Sequence, residues 1–323
     1  MKLTFATFTL ATLVSSAALA QAVPSPSFPT RPITLVIGSS PGSTTDGLAR
    51  AMGLEFTKET GQPVIIDNRA GAFGGIAAQT VARATPDGYT LFITTNTTQA
   101  ANPHLVKKLP YDPIKDFAPI GRLVQGHMLM VVNPAVKAQT VGEFIALAKK
   151  EPGKINFGSG SSSARVATEL FQHMSGIRLN YVPYKANPLA VMDLVAGQTD
   201  VMIVDMTTSL PQVKAGKLRA LGVSSPKRSP LVPNVPTIAE SGLPGYEANH
   251  WNALYAPAAT PPAVVRRLNE LMRRAMAAEP LRQFAEQNGM EVAVTSPEDL
   301  GRFQLAELER WGRIIKDAGI QPE

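Results

Sequence analysis

Two segments of this 323-residue chain combine residue types and spacing suited to anion capture. The first is Gly38-Ser39-Ser40-Pro41-Gly42-Ser43-Thr44-Thr45-Asp46, and the second is Gly158-Ser159-Gly160-Ser161-Ser162-Ser163-Ala164-Arg165. Glycine lets backbone approach a ligand closely, and short hydroxyl side chains donate hydrogen bonds. Each segment follows an apolar β-branched run and precedes a helical pattern, so each leads a ligand to a helix N-terminus. There, free N–H groups and the helix dipole favour an anion. Ser and Thr are also the preferred N-caps whatever a protein does. It is the pairing of two such loops, one per lobe, that points to a clamp around a carboxylate. Arg165 would add a bidentate contact to that carboxylate or face solvent on its helix. Asp46, in the first helical turn, complements the dipole or touches the ligand.

An enzyme reading meets one motif. Gly38-Ser39-Ser40-Pro41-Gly42 fits the G-x-S-x-G nucleophile elbow between a strand and a helix. The residue after the nucleophile must give its backbone N–H to the oxyanion, and here it is Pro41, which has none. Losing one such donor costs roughly 100- to 1,000-fold in rate, which argues against a Ser40 hydrolase. The four histidines, His104, His127, His173 and His250, show no metal-ligand spacing. Neither a P-loop nor a G-x-G-x-x-G is present, so neither cofactor nor metal is expected. The chain has no Cys, which removes thiolate chemistry and disulfides.

The N-terminus reads as an export signal. Lys2 is the only charge up to Ala22, and an apolar stretch with Leu3, Phe5, Phe8, Leu10, Leu13 and Val14 follows it. Ala18-Leu19-Ala20 and Ala20-Gln21-Ala22 offer cleavage after Ala20 or Ala22. The apolar run is shorter than the ~20 residues that span a bilayer and is broken by Thr and Ser. A soluble periplasmic protein is expected. About 300 mature residues bury a large core without disulfides. The formal charge is +6, with basic pairs such as Arg266-Arg267 and Arg273-Arg274 placed on a helix facing water. With 6% aromatic residues and no basic-aromatic stripe, nucleic acid is not an expected partner.

The elements that must position the two loops are short apolar strands alternating with amphipathic helices. Strands are predicted at Ile33–Ile37, Val64–Ile66, Thr90–Ile93, Met128–Val132, Ile155–Phe157, Leu179–Pro183, Val201–Val204 and Leu218–Val223. Helices are predicted at Asp46–Thr60, Gly75–Ala84, from a Thr140/Glu143 capping box to Lys150, at Ala164–Met174 and at Leu189–Ala196. Thr260 is read as the cap of a helix opening on Pro261-Pro262, with Val264, Leu268, Leu271 and Met272 as its apolar face. A last helix begins at Ser296 and ends at Gly319. The alternation implies an α/β fold with mostly parallel sheets flanked by helices. Its length suggests two such lobes, crossed near Leu123–Leu129 and Tyr246–Leu254. In such sheets ligands bind outside the carboxyl ends of the strands, where both loops lie.

Beyond those loops, further segments carry a resemblance. They are Arg31-Pro32-Ile33-Thr34-Leu35-Val36, Asn68-Arg69-Ala70-Gly71-Ala72-Phe73-Gly74 and Pro86-Asp87-Gly88-Tyr89-Thr90-Leu91. Tyr111-Asp112-Pro113, Lys115-Asp116-Phe117 and Val182-Pro183-Tyr184-Lys185 follow, then Gly216-Lys217-Leu218-Arg219-Ala220-Leu221, Val235-Pro236-Thr237 and Pro244-Gly245-Tyr246-Glu247. In order and spacing the chain resembles the substrate-binding proteins of tripartite tricarboxylate transporters, the Bug proteins. The resemblance implies a two-lobed periplasmic binding protein (Venus flytrap), divided as 28–126 plus 247–323 against 127–246. It also implies a small organic acid in the cleft, delivered by a monomer to inner-membrane transporter subunits or to a sensor. By position, Tyr184, Asp205 and Trp251 would fall near the cleft, and Gly74 and Thr95 join the candidate ligand-binding residues. The chain departs from the family pattern at Ser43, Ser161, Arg165 and Ala186. Arg165, a permanent charge where His is common, suggests a dicarboxylate. Asp205 could pair with an amine if the ligand is an amino acid, or equally cap the turn that follows it.

Overall fold

The computed structural model describes residues 28–322, so the signal sequence and its cleavage options lie outside the described residues. From the N-terminus, β1 (Ile33–Ile37) leads through the first Ser/Gly loop into α1 (Thr44–Thr60), and β2 (Val64–Asn68) into a 3-10 turn and α2 (Gly75–Ala82). β3 (Thr90–Thr95) runs into a π-helical turn, Thr97–Ala101, and a short α3 (Asn102–Leu105). These units place β1 between β2 and β3 in parallel register, Ile33 opposite Val64 and Thr34 opposite Thr90.

The chain then enters β4 (Phe117–Val132), a single 16-residue strand where the sequence suggested only Met128–Val132. After β4 come α4 (Val141–Lys150), β5 (Asn156–Ser159), α5 (Ser162–Ser175), β6 (Asn180–Pro183), α6 (Asn187–Val195), β7 (Val201–Asp205), α7 (Met206–Lys214) and β8 (Arg219–Val223). β9 (Asn249–Pro257) returns, followed by α8 (Pro262–Ala277), α9 (Glu279–Gln287), β10 (Met290–Val292) and α10 (Pro297–Asp317).

The strand order is β2-β1-β3-β9-β4-β7-β5-β6, with β8 and β10 also paired to β4. The strand–helix–strand units pair in parallel, as their crossovers require. The antiparallel pairings all involve β4 or β9, so the sheet is mixed. β4 pairs with β9 from Phe117 to His127 and with β7 from Met128 onward, so one continuous strand joins the two halves of the molecule. Bulges at Pro119/Gly121 and Arg122/Val124 bend it before the junction.

Four buried clusters lie on the two faces of the two halves. On one half, β1 sends Ile33, Leu35 and Ile37 against α1, α8 and α9, while Val36 and Phe92 face α2 and α10. On the other, Met128, Met130 and Val132 face α4 and α5, while Leu129 and Val131 face α6 and α7. This period-two division is the pleat of a sheet covered on both sides, and it gives the two-lobed α/β fold expected of a binding protein.

Local details differ from the sequence reading. α1 begins at Thr44 and α5 at Ser162, two residues earlier in each case than their predicted starts. Thr260 does not cap α8; its hydroxyl donates to the Pro257 carbonyl at 2.7 Å, and Pro261 is the cap residue. The π-helical turn, α3, α7, α9 and β10 had no clear sequence signal, being short or, in α7, interrupted by Pro211.

Candidate functional site

A cavity of about 90 Å³ lies where the two halves meet, at the carboxyl ends of β1, β3, β5 and β7. Five helix N-termini converge on it: Ser43, Thr44 and Thr45 of α1, Gly74 of α2, Ser161 and Ser163 of α5, Ala186 and Asn187 of α6, and Asp205 of α7. Thr97, opening the π-helical turn, adds a sixth backbone end. The first amides of a helix have no intrahelical acceptor, so the walls are rich in N–H donors and positive dipole ends.

The first loop is braced from behind. Ser43 caps α1 by accepting from the Asp46 N–H at 3.2 Å, and its hydroxyl meets that of Ser39 at 2.8 Å. Asp46 turns away from the cavity. Its carboxylate accepts from Gly42 N–H and Asn68 Nδ2, each at 3.0 Å, and from Arg50. Burial alone would raise its pKa, yet the bonds from Arg50, Gly42 and Asn68 together hold the carboxyl below the usual carboxylate range. Asp46 therefore sets the shape of the loop, while Thr44 and Thr45 form the wall. Ser40, Pro41 and Gly42 do not line the cavity.

The second loop is fixed by close packing. A Cβ on Gly160 would sit 2.0 Å from the Ala186 carbonyl carbon, so only glycine lets this loop lie against the start of α6. Gly160 N–H donates to Asn187 Oδ1 at 3.0 Å, and Ser161 caps α5 by accepting from Ala164 N–H at 3.3 Å. Gly160, Ser161 and Ser163 line the cavity; Gly158, Ser159 and Ser162 lie behind it. Ser159 donates to the Ser161 carbonyl at 2.7 Å.

The halves are joined by polar contacts at the rim. Thr44 Oγ1 donates to Asp205 at 2.9 Å, Ser162 Oγ donates to Asn102 at 2.7 Å, and the hydroxyls of Thr97 and Ser163 lie 3.3 Å apart. Asp205 both lines the cavity and caps α7, accepting from the Thr208 N–H at 3.0 Å and from Asn187 at 3.0 Å. Of the two roles the sequence left open, pairing with a ligand amine and capping the turn, the structure shows the cap. Thr95 and Gly74 also line the cavity.

Three candidates stand elsewhere. Arg165 is buried at the side of α5, with its guanidinium 4.6 Å from the Tyr181 ring centre and its Nε 4.0 Å from Glu169. Tyr184 packs behind the second loop and donates to Asp193 at 2.8 Å; burial first and then the Asp193 carboxylate push its phenol up to about 12. Trp251 is buried between β9 and α10, where its indole N–H donates to Glu307 at 2.9 Å. None of the three lines the cavity.

Other wall residues carried no clear signal in the sequence. Asn252, on β9, donates to Thr45 Oγ1 at 3.0 Å, and its Oδ1 has no partner among the described residues. His250 is buried beside it, and burial holds its imidazole below the ordinary pKa against the pull of the Asp205 charge. Both come from a strand that reads as plain core. Thr97 and Thr98 were the findable ones, because Thr95-Asn96-Thr97-Thr98 follows a strand with the same small hydroxyl residues as the two loops. The buried hydroxyl of Ser40 has no hydrogen-bond partner among the described residues. Those residues also include no cluster of side chains able to hold a metal ion.

Comparison with known proteins agrees with this geometry. Residues 48–320 match the model of the tripartite tricarboxylate transporter family receptor. BugT of Bordetella pertussis is 32% identical over 311 residues, covering 95% of each chain. A protein from the tcbD–tcbE intergenic region of Pseudomonas sp. strain P51 is 36% identical over 291 residues, 89% of this chain and 86% of that one. Rpa4515 of Rhodopseudomonas palustris, solved with adipate, superimposes with a TM-score of 0.89 at 35% identity, over 92% of this chain and all of that one. MatC from the same organism, solved with bound malate, gives 0.84 at 31% identity over 89% of this chain and all of the other. The chain therefore belongs to the tripartite tricarboxylate transporter receptor family, with the Bug proteins, and is a solute-binding protein rather than an enzyme.

Proposed function

We propose that this chain captures a small organic dicarboxylate in the cavity between its lobes and delivers it to a tripartite tricarboxylate-type transporter in the inner membrane. The observation that carries the reading is the convergence of five helix N-termini on one cavity, three of them (α1, α5 and α7) with hydroxyl-bearing first turns. Such walls bind a carboxylate through fixed N–H dipoles that replace the anion's water, and Lys185, which also lines the cavity, adds one cationic side chain. The adipate in Rpa4515 and the malate in MatC support a ligand with two carboxylates. Arg165 no longer supports it, since it sits beside Tyr181 and Glu169 away from the cavity.

In this reading the protein works as a monomer in the periplasm after cleavage at Ala20 or Ala22. Residues 28–126 with 247–323 form one lobe and residues 127–246 the other, hinged where β4 and β9 cross. Presentation of the loaded protein to a sensor is the second reading, since the same clamp would serve it. Among the described residues no helix is long and apolar enough to cross a membrane.

A thermal-shift screen of the mature protein against mono-, di- and tricarboxylates and amino acids tests the proposal. A ligand at about 100 times its Kd adds ~2.7 kcal/mol of stability. Stabilisation by at least one dicarboxylate is expected, and a flat response to every carboxylate would sink the reading.

A further inference from the structure

We infer that Phe73 is a specificity-determining residue of the cavity, selecting carboxylates whose body is a bare hydrocarbon chain over those bearing hydroxyl groups. The inference rests on the carboxylate-binding function proposed above and concerns the middle of the ligand rather than its charged ends.

Phe73 lines the cavity and is half-buried, yet it packs against none of the four buried clusters described above. An aromatic ring ordinarily gains stability by burial in a core. This one is kept out of the core by its backbone. Ala72 and Phe73, at φ 47° and 49°, are the two non-glycine residues with positive φ among the described residues. L side chains rarely adopt that conformation, and residues held in it cluster at ligand clamps. The neighbours fix it there. Gly71 and Gly74 also have positive φ, and the Gly74 N–H donates to the Gly71 carbonyl at 2.9 Å. The Phe73 carbonyl accepts from Asn102 Nδ2 at 3.0 Å. Asn102 is fully buried, and its Oδ1 accepts from Ser162 at the start of α5 at 2.7 Å. The turn that carries the ring is thus tied to the opposite lobe through one asparagine, so Phe73 holds its position when the cleft is closed.

The rest of the cavity supplies the contrast. Its helix-end walls offer N–H and hydroxyl donors, which suit the carboxylates of a ligand. Phe73 offers apolar surface, whereas Ile93 and Met128, which also border the cavity, are almost wholly buried in the core. A methylene laid on that surface gains by leaving water, whereas a hydroxyl placed there loses its water hydrogen bonds without replacement. A single methylene in such a pocket is worth roughly 10- to 200-fold in discrimination.

The test is isothermal calorimetry of the wild-type protein, Phe73→Gly and Phe73→Leu with adipate and with malate as probes. Glycine suits the positive φ, so Phe73→Gly should fold with an unchanged or raised Tm. The wild type is expected to prefer adipate. In Phe73→Gly adipate affinity should fall by about tenfold or more, while Phe73→Leu retains it within about threefold. Malate affinity should move less than about threefold in either variant. An adipate-to-malate ratio unchanged in Phe73→Gly would overturn the assignment while leaving carboxylate binding intact. So would a wild type that prefers malate, or a loss of both ligands together, which would make Phe73 a general cover over the cavity. Absence of binding by either probe, and by the wider set of carboxylates, would remove the underlying function and this inference with it.

Discussion

At the scale of single residues, the cavity separates wall from brace. Thr44 and Asp46 stand two positions apart on α1, yet Thr44 faces the opposite lobe and Asp46 holds the loop from behind. Their types fitted a binding loop equally well, and only their side-chain directions assign the roles. Asp46→Asn should destabilise the protein by about 1–2 kcal/mol at pH 7, since it weakens charge-assisted bonds to Gly42 and Asn68. The folded carboxyl titrates below its unfolded value, so its stabilisation is complete above about pH 4 and fades as pH falls through the folded pKa. Urea denaturation at pH 7, 4 and 3 should therefore show the difference between wild type and Asp46→Asn narrowing with acid. A gap as wide at pH 3 as at pH 7 would contradict the brace.

At the scale of elements, the second loop depends on how closely α6 approaches β5. Gly160 has no room for a Cβ because Ala186 backbone fills the space, and backbone cannot swing aside as a side chain would. Gly160→Ala should destabilise by about 1–3 kcal/mol and weaken the thermal shift given by any ligand, through displacement of the starts of α5 and α6. Gly142, in the first turn of α4, is the control: a Cβ there meets only the Thr140 hydroxyl, at 4.0 Å. Gly142→Ala should be neutral or stabilise by up to about 1 kcal/mol. Paired melting curves check both, and equal Tm values for the two variants would show that the Gly160 contact yields easily. The strand and helix patterns located both loops but gave no view of this contact, since Gly160 and Ala186 lie far apart in the chain.

For the whole molecule, the sheet is continuous through β4, and the cavity lies beside that junction. A few polar contacts join the two halves beside the cavity, and the Thr44–Asp205 hydrogen bond is one of them. A net hydrogen bond of about 0.5–1.5 kcal/mol sets the scale of its effect. Thr44→Val should lower affinity for a bound carboxylate by roughly 2- to 12-fold, mainly through faster release, because the closed state loses one latch. Stopped-flow dissociation measures this, and an unchanged release rate would show that the latch does not hold the cleft shut.

Much of the architecture was present in local pattern. Apolar β-branched runs and spaced helical faces placed β1, α1, β5, α5 and the capping box of α4 within a few residues, because each depends on neighbours three or four positions away or on alternation along a strand. The two Ser/Gly loops were legible for the same reason, and Pro41 argued against the hydrolase motif without any coordinates. The tertiary structure alone decided which of those residues face the cavity. Arg165 and Trp251 have chemistry suited to binding, but packing offered them Tyr181 and Glu307, and those local partners fixed their side chains away from the cleft. Asn252, His250 and Phe73 entered the wall because long-range strand pairing and one left-handed turn carried them there. Sequence thus placed the starts of α1, α2, α5 and α6 within about two residues but not that of α7, and convergence of those starts on one cavity depended on how the strands cross between the two halves.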